Sequence, residues 1–121
     1  IGIKHMMDNL SQDEFTKKVM RLQYLEYPLH VRIATIWNPD HNFDLDLYKD
    51  VCWCFAGSIF GGNQKSLIEF ADLTKRECLN IIKKKKTLMW EINVWKLIYN
   101  ADRWKFLYYV SSHDTSILDE Y

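Results

Sequence analysis

The stretch Cys52-Trp53-Cys54-Phe55-Ala56-Gly57-Ser58-Ile59-Phe60-Gly61-Gly62 decides how this chain is read. It opens as a dense apolar and aromatic run, the composition of a strand covered on both faces. It breaks on Gly57, resumes for three residues, and breaks again on Gly61 and Gly62. Glycines at the end of a covered strand permit backbone conformations closed to other residues. They also leave no side chain where a ligand or another backbone comes close. A core strand followed by a tight turn into a helix gives the same local pattern, and the stretch alone leaves both readings open.

Outward from this stretch, strand and helix signals alternate. Upstream, Val31-Arg32-Ile33-Ala34-Thr35-Ile36-Trp37 has strand composition, and Asn38-Pro39-Asp40 is a turn. Residues 40–50 are polar with interleaved Leu45, Leu47 and Tyr48, the pattern of a loop holding one helical turn. Further upstream, Ser11-Gln12-Asp13-Glu14 is a capping box. The helix it starts carries Phe15, Val19, Leu22 and Leu25 on one stripe and ends before Pro28. Residues 1–10 read as a loop.

Downstream, Asn63 leads into a helix expected over residues 64–83, with Leu67, Ile68, Ala71, Cys78, Leu79 and Ile82 on its buried side. Lys83-Lys84-Lys85-Lys86 finishes it, where positive charge complements the helix dipole. A second helix is expected from Thr87, with Trp90, Val94, Leu97 and Ile98 at helical spacing. Glu91 and Asn93 are polar residues set in that apolar stretch. An unpaired buried carboxylate is costly, so Glu91 is expected to face solvent or to line a site. Residues 104–111 alternate as a strand, followed by the polar cluster Ser112-His113-Asp114-Thr115-Ser116. In open α/β sheets ligands bind at such strand ends.

The 121 residues are enough for one domain, and 48% apolar with 15% aromatic content excludes a disordered chain. Formal net charge is zero, so nothing asks for nucleic acid or an anionic membrane as partner. No apolar run approaches the roughly 20 residues that span a bilayer. The opening Ile1-Gly2-Ile3 is not a start of translation, and the expectation is a piece of a longer chain. Cys52, Cys54 and Cys78 cannot all pair and do not show zinc spacing. Buried free thiols in the cytoplasm or another reducing compartment are the expectation. With no repeat or linker, residues 1–121 read as a single α/β unit.

Candidate chemistry is sparse. Asp44-Leu45-Asp46 is an acid-x-acid triplet of the kind that holds a divalent cation, but it lies in a polar loop. His113 with Asp114 suits a metal or diphosphate contact, and equally a surface loop. Glu91 suits a general base or a hydroxyl acceptor, and equally an ordinary helix position.

Taken in order, residues 55–62, then Leu88-Met89-Trp90-Glu91-Ile92-Asn93-Val94-Trp95, then Ser112-His113-Asp114-Thr115-Ser116-Ile117, resemble the HtrL/YibB family of glycosyltransferase-like proteins. That family carries an F-A-G-G-x-F-G-G block, a T-W-E-x-N block and a terminal His-Asp block. The opening Ile1-Gly2-Ile3-Lys4-His5 resembles the segment just after the family's W-I-D strand. The resemblance covers most of this chain but only the C-terminal half of a family member. It implies an α/β fold that is the C-terminal part of a Rossmann-like A-type glycosyltransferase, helices packed on a small mixed sheet.

It further implies transfer of a sugar from a nucleotide-sugar donor to a glycan or lipopolysaccharide-type acceptor, with manganese or magnesium as cofactor. By the resemblance Glu91 is the catalytic acceptor-side carboxylate. Gly57, Ser58, Gly61, Gly62, Trp90, Asn93 and Asp114 are substrate contacts, and His113 is a metal contact. Ser58 departs from the family's second glycine. The family's metal-binding acid falls upstream of Ile1, so this extent of chain alone is expected to be inactive. The alternative is a non-catalytic α/β interaction module derived from such a fold. The transferase reading requires the glycine turn, Glu91 and His113 to share one cleft.

Overall fold

The computed structural model describes residues 10–22, 25 and 29–121. The predicted stop at Pro28 and the opening loop up to residue 9 lie outside them. The described chain is mixed α/β: helix α1 (Gln12–Leu22), strands β1 (Val31–Thr35) and β2 (Phe55–Gly61), helices α2 (Gln64–Lys85) and α3 (Glu91–Ala101), a 3-10 turn (Arg103–Lys105), strand β3 (Phe106–Val110) and a short helix α4 (Ser116–Asp119). The three strands form one mixed sheet in the order β2-β1-β3, with β1 antiparallel to β2 and parallel to β3. Among the described residues no helix is long and apolar enough to cross a membrane.

Helices cover both faces of this sheet. On one face Val31, Ile33, Phe55 and Phe106 pack under α2 and α3, together with Phe70, Ile92, Val94 and Trp95. Their rings form a continuous chain: Phe55 stacked on Phe106 at 5.2 Å, Phe106 edge-to-face with Phe70 at 5.8 Å, Phe70 tilted against Trp95 at 5.1 Å. Such pairs add about 0.5–1.5 kcal/mol each beyond the area they bury. On the other face Ala34, Ala56 and Tyr109 meet Ile117, Leu118 and Tyr121, with Phe15 and Leu22 of α1 at the rim. Arg21 of α1 donates to the Leu118 carbonyl at 2.6 Å and Lys18 pairs with Asp119, which ties α1 to α4.

The glycine-punctuated strand holds the first surprise. Between Ile33 and Thr35 on β1 the partner on β2 moves from Phe60 to Phe55. Two steps along one strand therefore face five along the other, a bulge of three extra residues. In a regular strand Phe55 and Phe60 would point to opposite faces. The odd insertion puts both on the aromatic face, where Phe60 meets Phe70 at 5.3 Å and Trp95 at 5.6 Å.

None of the described glycines has a positive φ, so the expected use of their conformational freedom is corrected. They are needed for close approach. A Cβ on Gly57 would sit 2.9 Å from Glu91 Oε1, one on Gly61 would sit 1.9 Å from the Tyr121 hydroxyl, and one on Gly62 2.3 Å from Ser66 Oγ.

Local signals at helix ends held where a side chain could act alone. Ser11 and Glu14 cap each other's backbone amides at 3.2 and 3.3 Å. Asn63 Oδ1 accepts from the Ser66 amide at 2.8 Å and caps α2, while Lys86 closes it in the left-handed region at φ 55°. Faces were less legible. Phe70 and Ile81, absent from the predicted stripe, are the buried apolar anchors of α2, and Ile68, Leu79 and Ile82 are exposed. The large ring of Phe70 among other rings outweighs the aliphatic stripe in setting how α2 is rotated. Helix α3 begins at Glu91 rather than Thr87, with Trp90 as an exposed N-cap. Strand β3 begins at Phe106, because Asp102 accepts from the Trp104 amide and winds residues 103–105 into a 3-10 turn.

Candidate functional site

Helix α3 is buried along most of its length: the sheet and α2 take Ile92, Val94, Trp95 and Ile98, and the long loop between β1 and β2 takes Asn93, Lys96 and Tyr99. Three polar residues on one stripe pin that loop. Asn93, 1% exposed, accepts from the Cys52 amide at 2.9 Å and donates to the carbonyls of Leu47 at 2.8 Å and Asp50 at 2.7 Å. Lys96 donates to the Pro39 carbonyl, and the Tyr99 hydroxyl donates to Asp40 Oδ1 at 2.5 Å. Residues three apart on a helix share a face, so 93, 96 and 99 act as one bracket.

The bracket also covers a thiol pair. Cys52 and Cys54 are both fully buried and free, with sulfurs 3.3 Å apart. Burial, then the hydrogen bond with Cys52, pushes the Cys54 thiol up to about 12, so it is a poor nucleophile.

Between the pinned loop, the C-terminal half of α3 and the 3-10 turn lies a cavity of about 640 Å³. Asp40, Asn42, Phe43, Lys96, Tyr99 and Trp104 are among its lining residues, with Asn100, Asp102 and Arg103. Asp40 is its hub. It accepts from Tyr99, from the Tyr108 hydroxyl at 3.2 Å, and faces Arg103 at 3.9 Å. The Tyr99 hydrogen bond, with help from Tyr108 and the cations of Arg103 and Lys96, holds its carboxyl below the usual carboxylate range against the opposing effect of burial. Burial, and then Asp40 itself, pushes the Tyr99 hydroxyl up, and Tyr108 moves the same way. The pair is thus fixed as carboxylate and neutral phenol. Trp104 presents its ring openly, 72% exposed, with the Arg103 guanidinium 4.7 Å over its face. Aromatic faces beside fixed hydrogen-bond acceptors and amides suit a polyhydroxylated ligand.

The residues nominated from sequence fall elsewhere. Gly57 and Glu91 are brought together, since the first turn of α3 rests on the β2 bulge. Trp90 beside them is 59% exposed. Gly61 and Gly62 lie against Tyr121 and Ser66 instead. Ser58 is half-buried in the strand. Asn93 has its amide wholly engaged with backbone. His113 packs its ring 5.5 Å from Trp53, and Asp114 accepts from the Ser116 amide at 2.8 Å to start α4. Asp46 likewise accepts from the Tyr48 amide at 3.0 Å in a local turn. Among the described residues no group of three or more His, Cys, Asp or Glu is placed to hold a metal ion. None of the nominated residues lines the cavity at Asp40.

The cavity residues were missed because they converge from three separate segments. One signal was available: Asn93, Lys96 and Asn100 form a polar stripe on a helix that is apolar elsewhere apart from Glu91 at its first position and the Tyr99 hydroxyl. Comparison of the chain with models of known families, with curated proteins and with solved structures finds no match.

Proposed function

We propose that this chain is the acceptor side of a glycosyltransferase-like protein and that its saccharide lies in the cavity around Asp40 rather than in a cleft shared by the glycine turn, Glu91 and His113, none of which lines that cavity. The observation that carries this is the cavity's make-up: the open Trp104 ring and the rings of Phe43 and Tyr99 beside Asp40, Asn42 and Asn100. Sugar C–H faces stack on such rings while carboxylate and amide oxygens accept from hydroxyls. The resemblance to the HtrL/YibB family supplies the reaction class, a Rossmann-like parent fold, a nucleotide-sugar donor and a divalent cation. In this reading Glu91 is the acid beside the acceptor hydroxyl, and α3 carries both it and the cavity. Eight residues of helix separate Glu91 from Tyr99, about 12 Å of axial rise, so the acceptor is an oligosaccharide rather than a single sugar.

Calorimetric titration with a panel of mono- and oligosaccharides tests this, alongside nucleotide-sugars with manganese. Saturable saccharide binding that Trp104→Ala removes is the expected result. No binding by any saccharide, or binding indifferent to Trp104, would sink it. The second reading, a non-catalytic interaction module, is favoured by the exposed apolar side chains of edge strand β3, Leu107 and Val110. It is the reading left standing by a silent panel.

A further inference from the structure

Lys96 lines the cavity as part of its floor and is only 6% exposed. Its ammonium donates to the Pro39 carbonyl and lies 5.3 Å from the Tyr99 ring centroid and 6.0 Å from that of Phe43. An ammonium has three protons to place and no acceptor capacity of its own. Among the described residues no carboxylate lies within ion-pair distance of it. Asp40 is near enough to feel its charge but commits its oxygens to Tyr99, Tyr108 and Arg103. Asp102, the other acid of the lining, accepts from the Trp104 amide. A buried charge facing a cavity with one carbonyl and two ring faces is under-compensated, and burying it so costs free energy.

We infer that the ligand of this cavity carries an anionic group, a carboxylate or a phosphate, and that Lys96 reads it. The inference rests on the saccharide reading and narrows it to acidic or phosphorylated sugars. The anion receives the ammonium's free protons in a charge-assisted hydrogen bond, and Arg103 at the rim adds attraction at longer range. Neutral sugars lack that contact and leave the ammonium as it is now.

The test titrates the full chain with glucose, glucuronate, glucose 6-phosphate and inorganic phosphate. The expected result is that glucuronate, glucose 6-phosphate or both bind roughly tenfold more tightly than glucose, the scale of one charge-assisted hydrogen bond. Lys96→Gln, which keeps a shorter, neutral donor, should bring glucuronate and glucose 6-phosphate down to the affinity that glucose shows on the same variant; Lys96→Met repeats the comparison without a donor. Lys84→Gln, an exposed charge deletion on α2, should leave the preference intact. Wild-type chain that binds all three sugars alike overturns the inference and leaves the saccharide reading in place. Inorganic phosphate binding with no sugar binding keeps Lys96 as an anion reader and removes the saccharide reading. A tenfold preference unchanged in Lys96→Gln assigns the anion to another residue and overturns the inference, and silence in every titration overturns both.

Discussion

The two ends of helix α3 behave differently. Its N-terminal end carries the residues that stand out in sequence, Trp90, Glu91 and the neighbouring glycine, and it is open: an exposed ring, an exposed acid, and a bulge that accepts the helix because Gly57 has no side chain. Its C-terminal half carries Lys96, Tyr99 and Asn100, which belong to no motif, and it builds the cavity. Asn93 stands between them as the first tooth of the loop bracket. The difference teaches that a block of unusual residues marks where the chain is tightly packed or open, while a site arises wherever a helix side holds down a loop it did not grow from.

The contrast breaks hardest at Asn93. Asn93→Ala removes three hydrogen bonds and leaves the Cys52 amide and the Leu47 and Asp50 carbonyls to find other partners. A loss of about 3 kcal/mol is expected, the scale for unsatisfied buried groups. Urea unfolding measures it, and a parallel rise in Cys52 and Cys54 labelling by a thiol reagent reports release of the loop. A loss below about 1 kcal/mol would mean that the bracket does not hold the loop.

The glycines sharpen it next. Gly61→Ala drives a methyl into the Tyr121 ring, itself packed against Tyr109 at 5.6 Å and beneath Arg32 at 5.0 Å, and overpacking there should cost about 1–3 kcal/mol. A methyl on Gly57 would lie 2.9 Å from the far end of the exposed Glu91 side chain, which can swing away, and at ordinary contact distance, 3.4 Å, from Ile92 Cγ2, so the cost should stay within about 0.5 kcal/mol. Thermal unfolding of the two variants side by side decides it. Equal losses would show that Glu91 is held in place, and so would strengthen its claim to a role in chemistry.

How much of this was legible depends on the same residues. The Ser11 box and the lysines ending α2 act within one turn of chain, and each appears where the sequence puts it; Asn63, expected only to lead into α2, is its cap. The mixed α/β architecture comes from the alternation of strand and helix signals. Phe60 could not be placed on its face without the three-residue bulge, which exists only in the pairing with β1. Asp40 and Tyr99, 59 positions apart, meet only because the β1–β2 loop folds back over α3. Periodicity sees one element at a time, and neither fact belongs to one element.

The finest test of the cavity end is conditional on pH. The Tyr99 hydroxyl is the first cause holding Asp40's carboxyl below its usual range. A carboxyl depressed by folding stabilises the folded chain in its ionised form. That contribution is complete above the unfolded carboxyl's value of about 3.9 and is lost as pH falls through the folded value beneath it. Tyr99→Phe removes the donor, so wild type should exceed the variant in stability near neutral pH, and the gap should narrow as the solution is acidified below that range. Urea midpoints of both proteins across the acid limb give the gap directly. A gap that stays constant would show the hydroxyl contributing without regard to Asp40's charge. The cavity's central acid would then lack the fixed ionisation that makes it a dependable acceptor for a sugar hydroxyl.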